Sequence, residues 1–225
     1  MRPDGWYRDR IEHLSGFMTP DREQTLRNVL SQRTRYMAVC MENTFHPQNA
    51  SALVRHCDAF GIQDIYTIEA LCSFKPNVDI VRGTDKWVTF HRNRTTAQAI
   101  DALKKEGYSI VATSPHENGT TPEEFDVAQG KFALVFGTEH EGISPEVMAS
   151  ADRFLRIPMW GFVESLNVSA CAAILIYMLS RKIREGSFPW QLSGRESDVL
   201  LFDWMKKSIR GSDKILARFD SADTP

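Results

Sequence analysis

Short runs of consecutive apolar residues recur through the middle of the chain and alternate with segments that mix apolar and polar positions. Runs at residues 36–42, 64–69, 108–113 and 131–137 have the length and the β-branched or aromatic content of strands. Because they are apolar at nearly every position, they are typical of strands covered on both faces of a sheet. A further strand is predicted near Trp87, in the sequence WVTF.

The segments between these runs have the spacing of amphipathic helices. One helix is predicted to follow Pro47 and to stop at Gly61, and another runs from about Thr95 to Glu106. Strands that alternate with helices in this way imply a mainly parallel sheet with helices on both faces. The sequence therefore predicts an α/β fold.

Beyond Gly142 the alternation continues into a long helix. A short helix (SPEVMASA) and a last strand (FLRIP) come first, and the long helix then runs from about Ser165 to Arg184, where Ser165 is a candidate cap. The helix is apolar on nearly every side, so we expect it to be buried in the core or in a subunit interface.

Helical extensions flank this α/β region and carry an excess of positive charge. Helices are predicted from Pro20 to about Arg33 and around ESDVLLFDWMKKSI, which divides the chain into an N-terminal extension at 1–35, an α/β domain at 36–186 and a C-terminal extension at 187–225. Residues 1–35 hold 7 Arg against 5 acidic residues, and residues 181–218 hold 9 Lys or Arg against 5. Solvated helix faces and contact with a polyanion explain this pattern equally well.

The cysteines and the apolar segments exclude several classes of protein. The four cysteines are widely spaced without a C-x-x-C pair, which favours reduced thiols over a zinc site or a disulfide framework. We also expect no metal centre. The apolar run at residues 168–179 is too short to span a bilayer, and the N-terminal residues lack a signal-peptide core. A cytoplasmic protein without a membrane partner is predicted.

Polar residues follow the first predicted strand, where open α/β sheets bind ligands. The sequence ENTFHPQNASALVR places Asn49 and Arg55 just under two turns apart on one helix. Taken alone, the pair is explained more simply by a helix-capping asparagine and a surface arginine than by a binding site.

Two later loops also carry candidate chemistry. In TEHEGIS, Gly137 and Gly142 bracket Glu139, an arrangement that suits either a plain turn or a backbone lying close to a ligand. In VESLNVSA, Ser165 and Asn167 open the long helix, either as caps or as one wall of a site. A nucleotide-binding P-loop is excluded, because no G-K-[ST] follows the glycines.

Taken together, these segments resemble the three ordered motifs of the SPOUT superfamily of methyltransferases. The segments are NASALVR with CDAFG, then FGTEHEGIS, then IPMWGFVESLNVSACAA, with RGTDKWV between the first and the second. Within the superfamily, the chain is most similar to the tRNA (guanosine-2′-O-)methyltransferase family, over roughly residues 23–185. The resemblance implies a parallel sheet whose C-terminal part forms a deep trefoil knot. It also implies an obligate homodimer with the active site at the subunit interface.

The resemblance further implies a reaction and the residues that serve it. A ribose 2′-oxygen of tRNA, in the D-loop guanosine, would attack the methyl group of S-adenosylmethionine. The implied catalytic residues are Asn49, Arg55, Glu139, Ser165 and Asn167, and the implied cofactor pocket involves Thr113, Gly137, Ile157 and Leu166. A guanidinium stays protonated at neutral pH, so we expect Arg55 to stabilise the developing alkoxide rather than act as a base, with Asn49 orienting it.

Contact with tRNA is assigned to the basic extensions. The predicted RNA-binding residues are Arg22, Arg27, Arg33, Arg35, Lys206 and Lys207. Two alternatives stay open: a ribosomal RNA 2′-O-methyltransferase of the same superfamily, and a non-catalytic RNA-binding protein of the same fold. The short lead before the first strand favours tRNA, because ribosomal relatives commonly carry an additional N-terminal domain.

Overall fold

Two compact units make up the chain. The computed structural model describes residues 4–115, 117–138 and 141–222. The larger unit is Thr34–Trp190, and the smaller unit combines Met1–Arg33 with Gln191–Pro225. The smaller unit thus combines segments from opposite ends of the sequence.

A parallel sheet forms the centre of the larger unit. Within the described residues it has six strands in the order β3-β2-β1-β5-β4-β6, every neighbouring pair being parallel. The strands are β1 (Met37–Glu42), β2 (Asp64–Ile68), β3 (Thr89–Asn93), β4 (Ser109–Thr113), β5 (Phe132–Phe136) and β6 (Arg153–Leu155). The central strands β1, β2 and β5 are buried at every position, as their continuous apolar sequences predict. The α/β class is confirmed, and the strand expected near Trp87 begins two residues later, at Thr89.

The helices cover the sheet on both faces. They are α1 (Asp4–Ser15), α2 (Pro20–Leu30), α3 (Pro47–Ala59), α4 (Val78–Val81), α5 (Thr96–Lys105), α6 (Pro145–Ser150), α7 (Val168–Glu185), α8 (Gly194–Ser208) and α9 (Ser212–Ala222). On one face of the sheet, Leu53 of α3 and Leu175 of α7 share a core cluster with Val39 and Leu134. On the other face, Leu103 of α5 and Val147 of α6 share a cluster with alternate strand residues. Two hydrophobic layers therefore hold the sheet.

The long helix α7 starts later than its apolar pattern predicts. Asn167, not Ser165, is its N-cap, and the Asn167 side-chain oxygen accepts hydrogen bonds from the backbone N–H of Ser169 at 2.9 Å and of Ala170 at 3.4 Å. The prediction that Ser165 caps this helix is wrong, because an extended loop continues to residue 167. One side of α7 is buried in the core, whereas Ile174 and Tyr177 remain 38% and 51% exposed.

The smaller unit is a helical cluster in which α8 packs against α1 and α2, and α9 against α1 and α8. Its core includes Trp204, which is 1% exposed, and the Arg33 guanidinium lies 5.2 Å from the centre of that ring. Arg33 is itself only 1% exposed, which contradicts its predicted role as an RNA contact, because a buried side chain cannot reach a phosphate. No helix of the described residues has the length and apolar character needed to cross a membrane.

Candidate active site

A cavity of about 410 Å³ opens where β4, β5 and β6 end. Its lining includes Thr113, Gly137, Ile157 and Leu166, the residues predicted to bind a cofactor. The volume falls within the roughly 300–1,000 Å³ range of small-molecule sites. The position follows the rule that open parallel sheets bind ligands at the carboxyl ends of their strands.

Close backbone packing shapes one wall of the cavity. A Cβ atom at Gly137 would lie 2.1 Å from the carbonyl of Gly142, so only glycine fits there. Gly142 has φ 69°, and its carbonyl accepts a hydrogen bond from Thr138 N–H at 2.8 Å. The predicted acidic residue of this loop, Glu139, lies outside the described residues.

Glu42 supports the same wall, a role that the sequence did not suggest. This glutamate ends β1, is 1% exposed, and accepts a hydrogen bond from the backbone N–H of Ser144 at 3.0 Å. Ser144 caps α6 directly after the glycine loop. In the sequence, a polar residue at the end of an apolar strand indicates that a loop begins there. The hydrogen bond between Glu42 and the Ser144 backbone is visible only in the fold.

Asn49 and Asn167 connect the first motif to the third. The side-chain amide of Asn167 donates a hydrogen bond to the Asn49 side-chain oxygen at 3.2 Å, and Asn49 is only 8% exposed. Asn167 and Ser165 also line the cavity. The structure therefore brings together three of the five predicted catalytic residues, which are far apart in the sequence.

Arg55 is placed differently. Its side chain is exposed, and Nη1 donates a hydrogen bond to the carbonyl of Ile80 in α4 at 3.3 Å. Among the described residues, those that line the cavity do not include Arg55. The neighbouring His56 has a lowered pKa, mainly because it is desolvated and secondarily because of the Arg55 charge. One subunit alone does not bring the predicted catalytic guanidinium into the cavity.

Ionisable residues that the sequence analysis did not select also line the cavity. They are Glu117, Glu141 and Arg156, and Arg156 Nε donates a hydrogen bond to the carbonyl of Gly119 at 3.0 Å. Cys171 lines the cavity too, and desolvation raises the pKa of its thiol to about 11, so this group is a neutral donor at pH 7. No cluster of three or more His, Cys, Asp or Glu side chains in the described part of the chain is arranged to hold a metal ion.

The other predicted RNA-binding residues keep access to solvent. Arg22 and Lys207 are exposed, and Arg35 and Lys206 are partly exposed. Ion pairs hold several of them: Arg27 with Glu23 at 2.7 Å, Arg35 with Asp64 at 3.4 Å, Lys206 with Asp213 at 2.8 Å and Lys207 with Asp203 at 2.5 Å. Exposed pairs of this kind contribute at most about 1 kcal/mol, so a phosphate can compete for most of these cations.

Comparison with known proteins places this arrangement in a family. Residues 36–177 match the model of the SpoU rRNA Methylase family. The chain is 35% identical, over 201 residues, to the tRNA (guanosine(18)-2′-O)-methyltransferase of Borreliella burgdorferi, a match that covers 89% of this chain and 92% of that protein.

Solved structures agree with this assignment. The A. aeolicus TrmH/SpoU tRNA modifying enzyme superimposes with a TM-score of 0.74 at 33% identity, covering 84% of this chain and 96% of that one. The SpoU methyltransferase AviRb from Streptomyces viridochromogenes, solved in complex with AdoMet, shares the fold with a TM-score of 0.59 at 22% identity, covering 71% of this chain and 62% of that one. Because the family model spans more than half of the chain and the Borreliella relative matches along nearly its whole length, this protein is a member of the SpoU rRNA methylase family.

Proposed function

We propose that this protein methylates the 2′-oxygen of a ribose in tRNA, at guanosine-18 of the D-loop, with S-adenosylmethionine as the methyl donor. The observation that carries the proposal is the cavity at the carboxyl ends of β4, β5 and β6, which is lined by segments of the second and third motifs and is joined to the first motif through Asn49 and Asn167. The choice of nucleotide follows the Borreliella relative, which is named for guanosine(18).

The cavity suits a cationic adenosyl donor. Apolar side chains such as Leu155, Ile157 and Leu175 would receive the adenosyl part, while Glu117 and Glu141 supply negative charge for a sulfonium and an ammonium group. Arg156 is available for a carboxylate. When bound, S-adenosylmethionine supplies a methyl group that can be transferred directly to an oxygen nucleophile.

The chain's own contribution to this transfer is alignment and charge stabilisation. In the proposal, Arg55 binds a phosphate next to the target ribose and stabilises the alkoxide that develops on the 2′-oxygen. Ser165 and Asn167 fix the loop over the donor, and Glu139 would act from the opposite loop.

The position of Arg55 favours a homodimeric active site. Because Arg55 does not line the cavity among the described residues, the guanidinium would come from the partner subunit. Apolar side chains that a second subunit would cover are available: Trp160 and Phe162 in the loop before α7, and Ile174 and Tyr177 on α7 itself.

A deep trefoil knot belongs to the same proposal. The backbone N–H of Thr120 donates a hydrogen bond to the Phe154 carbonyl at 3.1 Å, and Arg156 N–H donates one to the Thr120 carbonyl at 3.0 Å. A Cβ atom at Gly119 would lie 2.7 Å from the Phe154 backbone. The loop after β4 thus pairs with the end of β6, and this close contact supports the proposed knot.

In the proposal, residues 36–186 form the catalytic domain, and the helical segments 1–35 and 187–225 bind the tRNA backbone. The protein would act in the cytoplasm. Arg22, Arg27, Arg35, Lys206 and Lys207 remain in this assignment, and Arg33 is withdrawn because it is buried. Binding through phosphates weakens as salt concentration rises.

Transfer of a labelled methyl group from S-adenosylmethionine to unmodified tRNA, followed by mapping of the modified nucleotide, tests the proposal. Label on the ribose of guanosine-18 is expected. Label on ribosomal RNA alone would favour the ribosomal alternative, and RNA binding without any transfer would favour a non-catalytic protein.

A further inference from the structure

We infer that Ser51 and the one-turn helix α4 position Arg55 for catalysis. The inference rests on the proposed role of Arg55 in methyl transfer. It assigns a purpose to a buried serine hydroxyl and to a short helix that the proposed reaction does not otherwise use. Ser51 is a positioning residue in this scheme, since it acts through α4 and not on the substrate.

The Ser51 hydroxyl joins α3 to the start of α4. Ser51 is fully buried, its Oγ donates a hydrogen bond to the Pro47 carbonyl at 2.6 Å, and it accepts one from the backbone N–H of Asn77 at 2.7 Å. Asn77 is the N-cap of α4, and its side-chain oxygen accepts from Asp79 N–H at 2.8 Å. The position of α4 is therefore fixed at its first residue.

The same short helix ends at the carbonyl that Arg55 contacts. Ile80 N–H and Val81 N–H both donate to the Asn77 carbonyl, at 3.1 Å and 3.0 Å, so one helical turn connects Asn77 rigidly to Ile80. Arg55 Nη1 then donates to the Ile80 carbonyl at 3.3 Å. Ser51 and Arg55 both lie on α3, and α4 forms a bridge between them: its N-cap Asn77 bonds to Ser51, and its Ile80 carbonyl bonds to Arg55.

Two residues with positive φ follow α4 directly. Arg82 has φ 50° and Gly83 has φ 78°, so the chain turns sharply after one helical turn. A non-glycine residue in this region is strained, and such residues are found most often at functional sites. These left-handed residues end α4 directly after the neighbour of Ile80, whose carbonyl accepts from Arg55.

A contact with the Ile80 carbonyl suits a guanidinium that must also bind substrate. Arginine has five N–H donors in a rigid plane, so one bond to Ile80 orients the plane and leaves the remaining donors for a phosphate and an oxygen. Without it, the long exposed side chain would have to lose its rotamer freedom when substrate binds.

A double-mutant cycle on the full-length protein tests this role. Ser51→Ala is expected to lower kcat for tRNA methylation about three- to ten-fold, the range of one lost hydrogen bond, with the KM for S-adenosylmethionine unchanged. In an Arg55→Ala background, the same substitution is expected to leave the residual single-turnover rate unchanged. Equal losses in both backgrounds would overturn the inference, because they would show that Ser51 acts independently of Arg55.

Two further variants separate positioning from folding. Ser180→Ala is the matched control, because Ser180 is 4% exposed on α7 and its hydroxyl donates to the Tyr177 carbonyl of its own helix, at 3.0 Å. It should keep full activity. Asn77→Ala removes the cap of α4 but leaves Ser51 in place, and it should lower kcat only when Arg55 is present. If Ser51→Ala does not fold, the Asn77→Ala cycle decides the question with the same criterion.

Hydrogen exchange distinguishes failure of this inference from failure of the proposed function. The Asn77 amide should exchange faster in Ser51→Ala than in the unsubstituted protein, whether or not the protein methylates tRNA. A protein without methyl-transfer activity would refute the proposed function and, with it, the catalytic purpose of the bridge. An active protein with unchanged Asn77 exchange in Ser51→Ala would refute the bridge alone.

Discussion

The two ends of the central sheet differ in the surroundings of their polar side chains. At the amino ends of the strands, the Asp64 carboxylate is 3% exposed and lies 3.0 Å from His91 Nε2, 3.4 Å from Arg35 Nε and 3.5 Å from the Tyr108 hydroxyl. Tyr108 also donates to the Arg35 carbonyl at 2.9 Å, and burial raises its pKa, so it keeps its proton. Charged and polar groups thus surround the buried carboxylate on three sides.

At the carboxyl ends, Glu42 is buried and hydrogen-bonded as well, but several other polar side chains face an open cavity. Ser165, Asn167 and Glu141 line this cavity, together with Gly137 and Gly142. Asn43, directly after β1, has φ 44°. One end of the sheet is built for stability and the other leaves hydrogen-bonding capacity for a ligand. The comparison predicts that substitutions at the two ends will have different consequences.

The largest effect is expected for Arg55→Lys. An ammonium cannot reproduce the planar fork that binds a phosphate and stabilises an alkoxide, so kcat should fall on the order of 10²-fold or more, with little change in stability. Steady-state methylation of tRNA together with thermal unfolding measures both. Near-normal turnover would refute the electrostatic role of Arg55.

Asp64→Asn should have the opposite profile. The substitution removes the negative charge that faces Arg35 and His91, and the free energy of unfolding should fall by about 1–3 kcal/mol. Because Asp64 lies at the amino end of β2, kcat should not change at temperatures where the variant is folded. Denaturant titration and methylation rates provide the check, and a selective loss of kcat would contradict the division between the two ends.

Asn167→Asp sharpens the description of the cavity end. A carboxylate still accepts hydrogen bonds at the start of α7, so stability should be preserved, but it cannot donate to Asn49. The apparent affinity for S-adenosylmethionine should fall up to about tenfold, the range expected when one part-buried hydrogen bond is lost. Calorimetric titration of the donor measures this, with Asn167→Ala, which loses the cap as well, as the less stable comparison.

The smallest effect is expected in the helical unit, where exposed Arg22 is compared with buried Arg33. Arg22→Ala should reduce the slope of log affinity against log salt concentration by about one, because an exposed cation releases a counterion when it meets phosphate. Arg33→Ala should leave that slope unchanged and lower the melting temperature, since Arg33 packs on Trp204. Filter binding across a salt series measures the slopes. A reduced slope for Arg33→Ala would show that Arg33 contacts RNA despite its burial.

The sequence predicted most of the larger unit because its strands are apolar throughout and its helices are amphipathic, and both patterns are local. The predicted cap at Ser165 is wrong because two polar residues two positions apart compete, and only the path of the loop selects Asn167. Glu42 and Ser51 were missed because each binds a backbone group distant in sequence. The buried position of Arg33 also depends on a partner, Trp204, that lies 171 positions later in the numbering of the chain.

The hydrogen bond between Asn49 and Asn167 has a consequence for synthesis of the protein. The two residues are separated by 118 positions, so a growing chain acquires the first motif long before the residue that completes it. Contacts of such long range form late in folding, because the intervening chain must first lose its conformational freedom. We therefore expect that translation products which stop before residue 167 lack this link between the two motifs, and that it forms only after that residue has left the ribosome.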